Sequence, residues 1–316
     1  MRIVFMGTPD FSVGTLEALV AAGHEVVLAV TQPDKPRGRG KEMQLSPVKE
    51  CAVKHGIPVF QPKKIREPEN VEFLKNYPAD ISVVIAFGQI LPREILEMYP
   101  YGCINVHASL LPAYRGAAPI QWAVINGESE SGVTIMQMDE GLDTGDMLAK
   151  VHVPLEEKET GGSLHDKLAE AGAALCVETL DRLKKGEVTP EKQGETTTAY
   201  ARMLKKEMGE IDWEKPARET ERLIRGLNPW PSAYTYWNGK MMKVWDAEVL
   251  ETESGEKPGT VTVVEKDSFL VQTKEGQLRI LALQIPGKKR MDTGAFLRGY
   301  PVQKGLCLGR TEEAGL

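Results

Sequence analysis

The sequence predicts an α/β protein: a doubly wound, mainly parallel, Rossmann-like sheet followed by a C-terminal antiparallel β-barrel of oligonucleotide-binding (OB-like) type. Three observations predict this. Val/Ile-rich runs alternate with helical patterns through the first two-thirds of the 316 residues, the signature of a parallel sheet covered on both faces. A polar stretch, 186–210, then interrupts the pattern. Beyond it, short β-type runs recur between turn pairs, and four of the five tryptophans (Trp213, Trp230, Trp237, Trp245) lie there. The length suits two domains, each with its own core. The expected boundaries are 1–185 for the first domain, 186–210 for a linker and 211–316 for the second.

Each element has a local reason. Apolar runs at 3–6, 26–30, 81–87, 103–106 and 133–138 read as strands, with helical candidates at 15–22, 47–55 and 92–98. Ser46 before Pro47 pairs an N-cap with proline at the first helical position. A longer helix, 163–185, closes the first domain, with Gly186 as its stop. In the last third, runs at 233–237, 242–249, 260–264, 269–273 and 278–283 read as strands. Asn238-Gly239, Pro258-Gly259 and Glu275-Gly276 separate several of them as turns. Five short strands point to the small barrel.

Charge and composition exclude several classes. The net charge is -6, with 21 Lys+Arg against 28 Asp+Glu in residues 1–204, and 18 against 17 in 205–316. Bulk charge does not announce a nucleic-acid protein, so such a partner has to be met by a local patch. Cys51, Cys103, Cys176 and Cys307 lie far apart without C-x-x-C spacing, which suits a reducing cytosol rather than a disulfide framework or zinc site. No signal peptide and no membrane-length apolar run is visible. A soluble, cytoplasmic monomer that needs no metal is expected. The opening Gly7 to Gly14 lacks dinucleotide-binding spacing, and Pro9 removes an amide where a pyrophosphate would need one.

The densest chemistry lies at 105–119. If 103–107 is a strand, Asn105 and His107 project from one face at its end. Such a pair can polarise a carbonyl and hold the oxyanion formed on nucleophilic attack. The same spacing fits a buried Asn and His satisfied by backbone. A second cluster, Met138-Asp-Glu-Gly-Leu-Asp-Thr-Gly-Asp146, reads either as a turn or as the source of a carboxylate. Taken with Asn105 and His107, that carboxylate completes a group suited to acyl transfer between nitrogens.

These segments resemble a known family. Asn105-Val-His, Ser109-Leu-Leu-Pro-Ala-Tyr-Arg-Gly and Gly141-Leu-Asp-Thr-Gly-Asp are similar to motifs of the folate-dependent formyltransferases. The runs 31–41, 132–139 and Leu227-Asn-Pro-Trp-Pro231 look like those of members that act on methionyl-tRNA. The likeness extends from Arg2 to about Arg290. It implies a formyltransferase domain, a linker and a C-terminal barrel that helps hold tRNA. It also implies transfer of a formyl group from 10-formyltetrahydrofolate to the α-amino group of initiator Met-tRNA, without a metal.

By this resemblance Asn105 would bind the formyl oxygen, His107 would stabilise the oxyanion, and Asp143 would orient His107 and assist proton removal. Ser109, Leu110, Leu111 and Pro112 would form the folate segment, with Phe87, Gly88, Ile90 and Asp139 contributing to the cofactor pocket. Leu110 and Leu111 read equally as packing residues, and Arg115 equally as a surface charge. Lys35, Arg37, Arg39 and Lys41, interleaved with Pro36, Gly38 and Gly40, would clamp tRNA phosphates. Lys288, Lys289 and Arg290 form the clearest basic patch of the second domain. Sugar-nucleotide N-formyltransferases, which share the folate site and carry a second domain, are the alternative within the same chemistry.

Overall fold

The computed structural model describes residues 1–37 and 42–310. Two compact units emerge: 1–119 with 130–154 and 165–201, and 120–129 with 155–164 and 202–316. In chain order the first sheet uses β1 (Arg2–Gly7), β2 (Glu25–Val30), β5 (Val59–Phe60), β6 (Ile81–Ile85), β7 (Cys103–His107), β8 (Glu130–Gln137) and β9 (Met147–Pro154). A separate antiparallel pair, β3 (Lys35–Arg37) with β4 (Glu42–Gln44), occupies the basic segment read from sequence as a loop. The helices are α1 (Val13–Ala21), α2 (Pro47–Lys54), α3 (Pro68–Lys75), α4 (Arg93–Leu96), α5 (Pro119–Asn126) and α6 (Gly161–Lys184).

The sheet order is β5-β2-β1-β6-β7-β8-β9. From β1 the chain winds outward through β2 and β5, then returns and winds the other way through β6 and β7. The switch point therefore falls between β1 and β6, where open α/β sheets place their ligands at the carboxyl ends of strands. Alternation divides β1 between two faces. Val4 and Met6 join Leu28, Val30 and Val84 in one apolar layer, with Val71 and Leu74 of α3 and Ile95 and Leu96 of α4. Gly172 lets α6 pass close to β7 and β8: a Cβ there would sit 3.1 Å from Val106 and 3.4 Å from Val133.

β8 and β9 run antiparallel, which the pattern of apolar runs did not predict. The reason is the short 138–146 connection, too short for the crossover that two parallel neighbours require. It leaves that segment as a tight loop. The helix start expected at Ser46 has the expected geometry, with Ser46 Oγ accepting from the Lys49 amide at 3.1 Å. Ser46 Oγ also lies 2.7 Å from Thr31 Oγ1 in a buried contact. Ser46→Ala removes the cap and strands Thr31; the expected loss is about 1–2 kcal/mol in chemical denaturation.

The second unit contains α7 (Ala217–Gly226), α8 (Thr293–Leu297) and strands β10 (Ala233–Trp237), β11 (Lys240–Leu250), β12 (Val261–Val264), β13 (Phe269–Gln272), β14 (Gln277–Gln284) and β15 (Met291–Asp292). All five expected strands are present and antiparallel, in the order β10-β11-β14-β13-β12, with β15 added on β14. The expected barrel, however, is not closed. Among the described residues β10 and β12 remain edge strands, meeting only isolated bridges such as Glu210 with Tyr234 and Thr260 with Cys307. Helices cover the core instead of a closing strand pair: Ala217 and Ile224 of α7 and Phe296 of α8 pack on Trp237, Val244, Phe269, Ile280 and Leu283.

Candidate active site

Asn105 and His107 stand on β7, between parallel β6 and antiparallel β8, in register with Met136 and Thr134 of β8. His107 is 5% exposed and Asn105 half-buried. The His107 ring has an assignable orientation. Its Nε2 lies 3.0 Å from the Tyr114 carbonyl oxygen, and a carbonyl only accepts, so Nε2 carries the hydrogen and donates. Nδ1 is thus the nitrogen left for chemistry. It is 3.8 Å from Asp143 Oδ1, too long for a hydrogen bond. A neutral ring of this tautomer has only a lone pair at Nδ1, which cannot bond a carboxylate; this accounts for the gap.

Asp143 is held independently. Its Oδ2 accepts from the Gly116 amide at 2.9 Å, and its backbone is left-handed at φ +55°, a conformation Asp tolerates better than most residues. The loop around it is tied down by Gln193, whose Nε2 donates to the carbonyls of Asp143 at 2.8 Å and Gly145 at 2.7 Å. Arg115 in turn donates from Nε and Nη2 to Gln193 Oε1 at 3.0 and 2.8 Å. Arg115 is therefore not a free surface charge; it latches the loop through Gln193. Among the described residues the Asn105 side-chain amide has no hydrogen-bond partner, so its donor and acceptor are available to an incoming molecule.

The other expected positions divide. Ser109 is buried and donates to the Ala113 carbonyl at 2.6 Å. Leu111 is 1% exposed and packs with Met136 and Met147, while its amide donates to Thr134 Oγ1 at 3.1 Å. Leu110 and Pro112 are half-buried. Phe87 is buried, and its carbonyl accepts from Thr8 Oγ1 at 3.2 Å and Gln32 Nε2 at 3.1 Å. Gly88 takes the left-handed φ of +80° that suits glycine. Ile90 is 70% exposed, an apolar side chain offered to whatever occupies that loop. Asp139 spends Oδ1 on its own turn, accepting from the Gly141 amide at 3.0 Å and Thr144 Oγ1 at 2.8 Å.

Of the basic segment, Lys35 lies exposed on β3. Arg39 and Lys41 lie outside the described residues, as does the side chain of Arg37. Lys288, Lys289 and Arg290 are exposed after β14. Sequence reasoning missed two features there. Trp245 lies between cations, with Lys243 Nζ and Arg290 Cζ each 5.5 Å from its ring centroid, and its indole Nε1 donates to Gln284 Oε1 at 3.2 Å. Lys243 and Trp245 are two apart on one strand, so period-2 alternation could have exposed the pair. Gln193, inside a polar stretch, carried no such signal.

Residues 1–180 match the family described as formyl transferase, and 203–301 match formyl transferase, C-terminal domain. A methionyl-tRNA formyltransferase of Agathobacter rectalis is 62% identical over 307 residues, covering 96% of this chain and 98% of that one. Its counterpart in Lachnospira eligens is 57% identical over 314 residues, covering 98% and 100%. Among solved structures, an N-formyltransferase from Helicobacter canadensis, complexed with folinic acid and dTDP-3-aminofucose, superposes with TM-score 0.65 at 17% identity, covering 89% and 98%. HypX from Aquifex aeolicus with tetrahydrofolic acid gives 0.61 at 20%, covering 99% of this chain and 51% of that one.

Proposed function

The chain belongs to the formyl transferase family, and from that premise we propose that it transfers the formyl group of 10-formyltetrahydrofolate to the α-amino group of methionyl-tRNA. The observation that carries this is identity of 57–62% across nearly the whole chain to methionyl-tRNA formyltransferases. The sugar N-formyltransferase alternative has only a 17% likeness behind it, which speaks to fold alone. The fuller reading is of a cytoplasmic monomer acting on initiator Met-tRNA; light scattering at working concentration checks the monomer. Among the described residues no helix is long and apolar enough to cross a membrane.

The residues suit a formyl donor. A free Asn105 amide beside His107 Nδ1 gives two groups for one carbonyl oxygen, and exposed Ile90 after Gly88 gives an apolar edge for a flat ring. The folate supplies the formyl carbon; the chain supplies position and charge. Asn105 Nδ2–H donates to the oxygen on which negative charge grows. His107 Nδ1 meets the same charge once it takes up the proton that the attacking amine gives up, and Asp143 faces the resulting imidazolium from 3.8 Å. The tautomer-fixing bond to Tyr114 keeps Nδ1 turned toward Asp143, and the Arg115–Gln193 latch holds the Asp143 loop. Esterification to tRNA lowers the basicity of the methionine amine, so more of it is neutral and nucleophilic near pH 7.

The basic hairpin and the Lys243–Trp245–Arg290 group are the surfaces we assign to tRNA. Arg37→Ala/Arg39→Ala should weaken tRNA binding and reduce the log–log salt slope by about 0.7–0.9 per lost phosphate contact. Folate affinity should stay unchanged. An unaltered slope would mean that these arginines are ordinary solvated charges. The function itself is tested by offering Met-tRNA, free methionine and an amino-sugar nucleotide side by side with 10-formyltetrahydrofolate. Only Met-tRNA should be formylated efficiently; preference for the sugar would overturn the assignment.

A further inference from the structure

We propose that Glu17, Cys51 and His55 form a binding site for a borderline-soft divalent cation of the Zn2+ class, which staples α1 to α2. Among the described residues these three offer ligand atoms that all lie within 4.8 Å of one another. Cys51 and His55 are four apart along α2 and its C-cap, so they share one face. Glu17 comes from α1: its Oε2 is 2.6 Å from His55 Nε2, and its Oε1 3.5 Å from Cys51 Sγ. Thiolate, imidazole and carboxylate together select zinc-like ions over Ca2+ or Mg2+, which prefer all-oxygen shells. Three protein ligands leave a fourth tetrahedral position for water, as in open zinc sites.

The surroundings distinguish this thiol from the others. Cys103 donates only to a backbone carbonyl and Cys176 is wholly enclosed, whereas the Cys51 sulfur is directed at a carboxylate. Besides His55 and Cys51, Glu17 is held by Lys54 at 3.2 Å, the Lys54 and Glu17 side chains being 71% and 39% exposed. A surface pair of that kind contributes little and is easily exchanged for water. Burial and the neighbouring carboxylate hold the Cys51 thiol up at about 11, so the free protein carries S–H. On binding, the Sγ–H bond breaks and its proton passes to solvent as the Sγ–metal bond forms. His55 ligates through Nε2 as the neutral Nδ1–H tautomer, and Lys54 swings into water. The bound ion closes the 38-residue separation between Glu17 and His55, which contains β2, β3 and β4, so it ties the two ends of that segment together.

The test is titration of the full-length, metal-free, reduced protein with Co2+, a coloured surrogate for Zn2+. One cobalt per chain should bind with a thiolate-to-cobalt charge-transfer band in the near ultraviolet, and Zn2+ should bleach it. The band should vanish in Cys51→Ser and survive in Cys307→Ser, whose cysteine is the exposed one. Affinity should fall by at least about tenfold in His55→Ala and in Glu17→Gln. His55 is exposed, so its variant remains informative should Cys51→Ser fold poorly. A band that persists without Cys51, an affinity indifferent to His55, or no band at all would overturn the site. None of these outcomes touches the formyl-transfer assignment, because the three residues take no part in it.

Discussion

Asn105→Ala lowers the turnover of formyl transfer by about 10²–10³, the usual consequence of losing one donor to a developing oxyanion, while tRNA binding and folding stability stay close to wild type. The selectivity of this effect follows from the structure. Among the described residues nothing inside the protein depends on the Asn105 amide, so its removal strands no buried partner. His107→Ala should cost at least as much activity and some stability too, because the Tyr114 carbonyl loses its donor in a buried place. Asp143→Asn separates charge from position. An asparagine tolerates the φ of +55° and can still accept from the Gly116 amide, yet brings no charge to Nδ1. A rate loss close to that of Asn105→Ala is expected there. The measurement is kcat at saturating folate and Met-tRNA alongside equilibrium tRNA binding. Wild-type turnover in any variant removes that residue from the catalytic group.

Phe269→Ala should destabilise the second unit by about 3–5 kcal/mol, the range for deleting a fully buried aromatic from a core that cannot collapse into the void. Phe269 is 0% exposed on β13, packed with residues of β10, β11, β14, α7 and α8. The site cannot readily shrink, since helices and sheet reach it from different directions and are each fixed by their own hydrogen bonds. Intrinsic fluorescence reports on this unit, because all five tryptophans, Trp122 included, fall within its segments. Denaturant unfolding followed by that signal should show the shift. A loss below about 1 kcal/mol would mean that the surrounding side chains refill the volume.

Much of the architecture was legible because local chemistry and global fold agree. The Ser46-Pro47 helix start, the five C-terminal strands and the runs that became β1, β2, β6, β7 and β8 rest on caps, turns and periodicity, which are local. What escaped was long-range. The antiparallel turn of β8 and β9 depends on which neighbour each strand pairs with, and period alone does not encode the partner. The barrel was expected from strand count, but closure is decided by whether the two edge strands meet. Here α7 and α8 bury the core without requiring it.

The candidate site divides along the same line. The sequence by itself determined the Asn105–His107 spacing, the acidic turn around Asp143, the family and, through it, the reaction, because these reside in contiguous runs. Only the tertiary structure decided that Nε2 of His107 is spent on Tyr114, that Leu111 packs against Met136 and Met147, and that Arg115 latches the Asp143 loop through Gln193. It also brought Glu17 to the helical pair Cys51 and His55. Each of those contacts joins residues through space, in most cases from segments far apart in the chain. Directional hydrogen bonds and packing select such partners only once the backbone has placed them within reach.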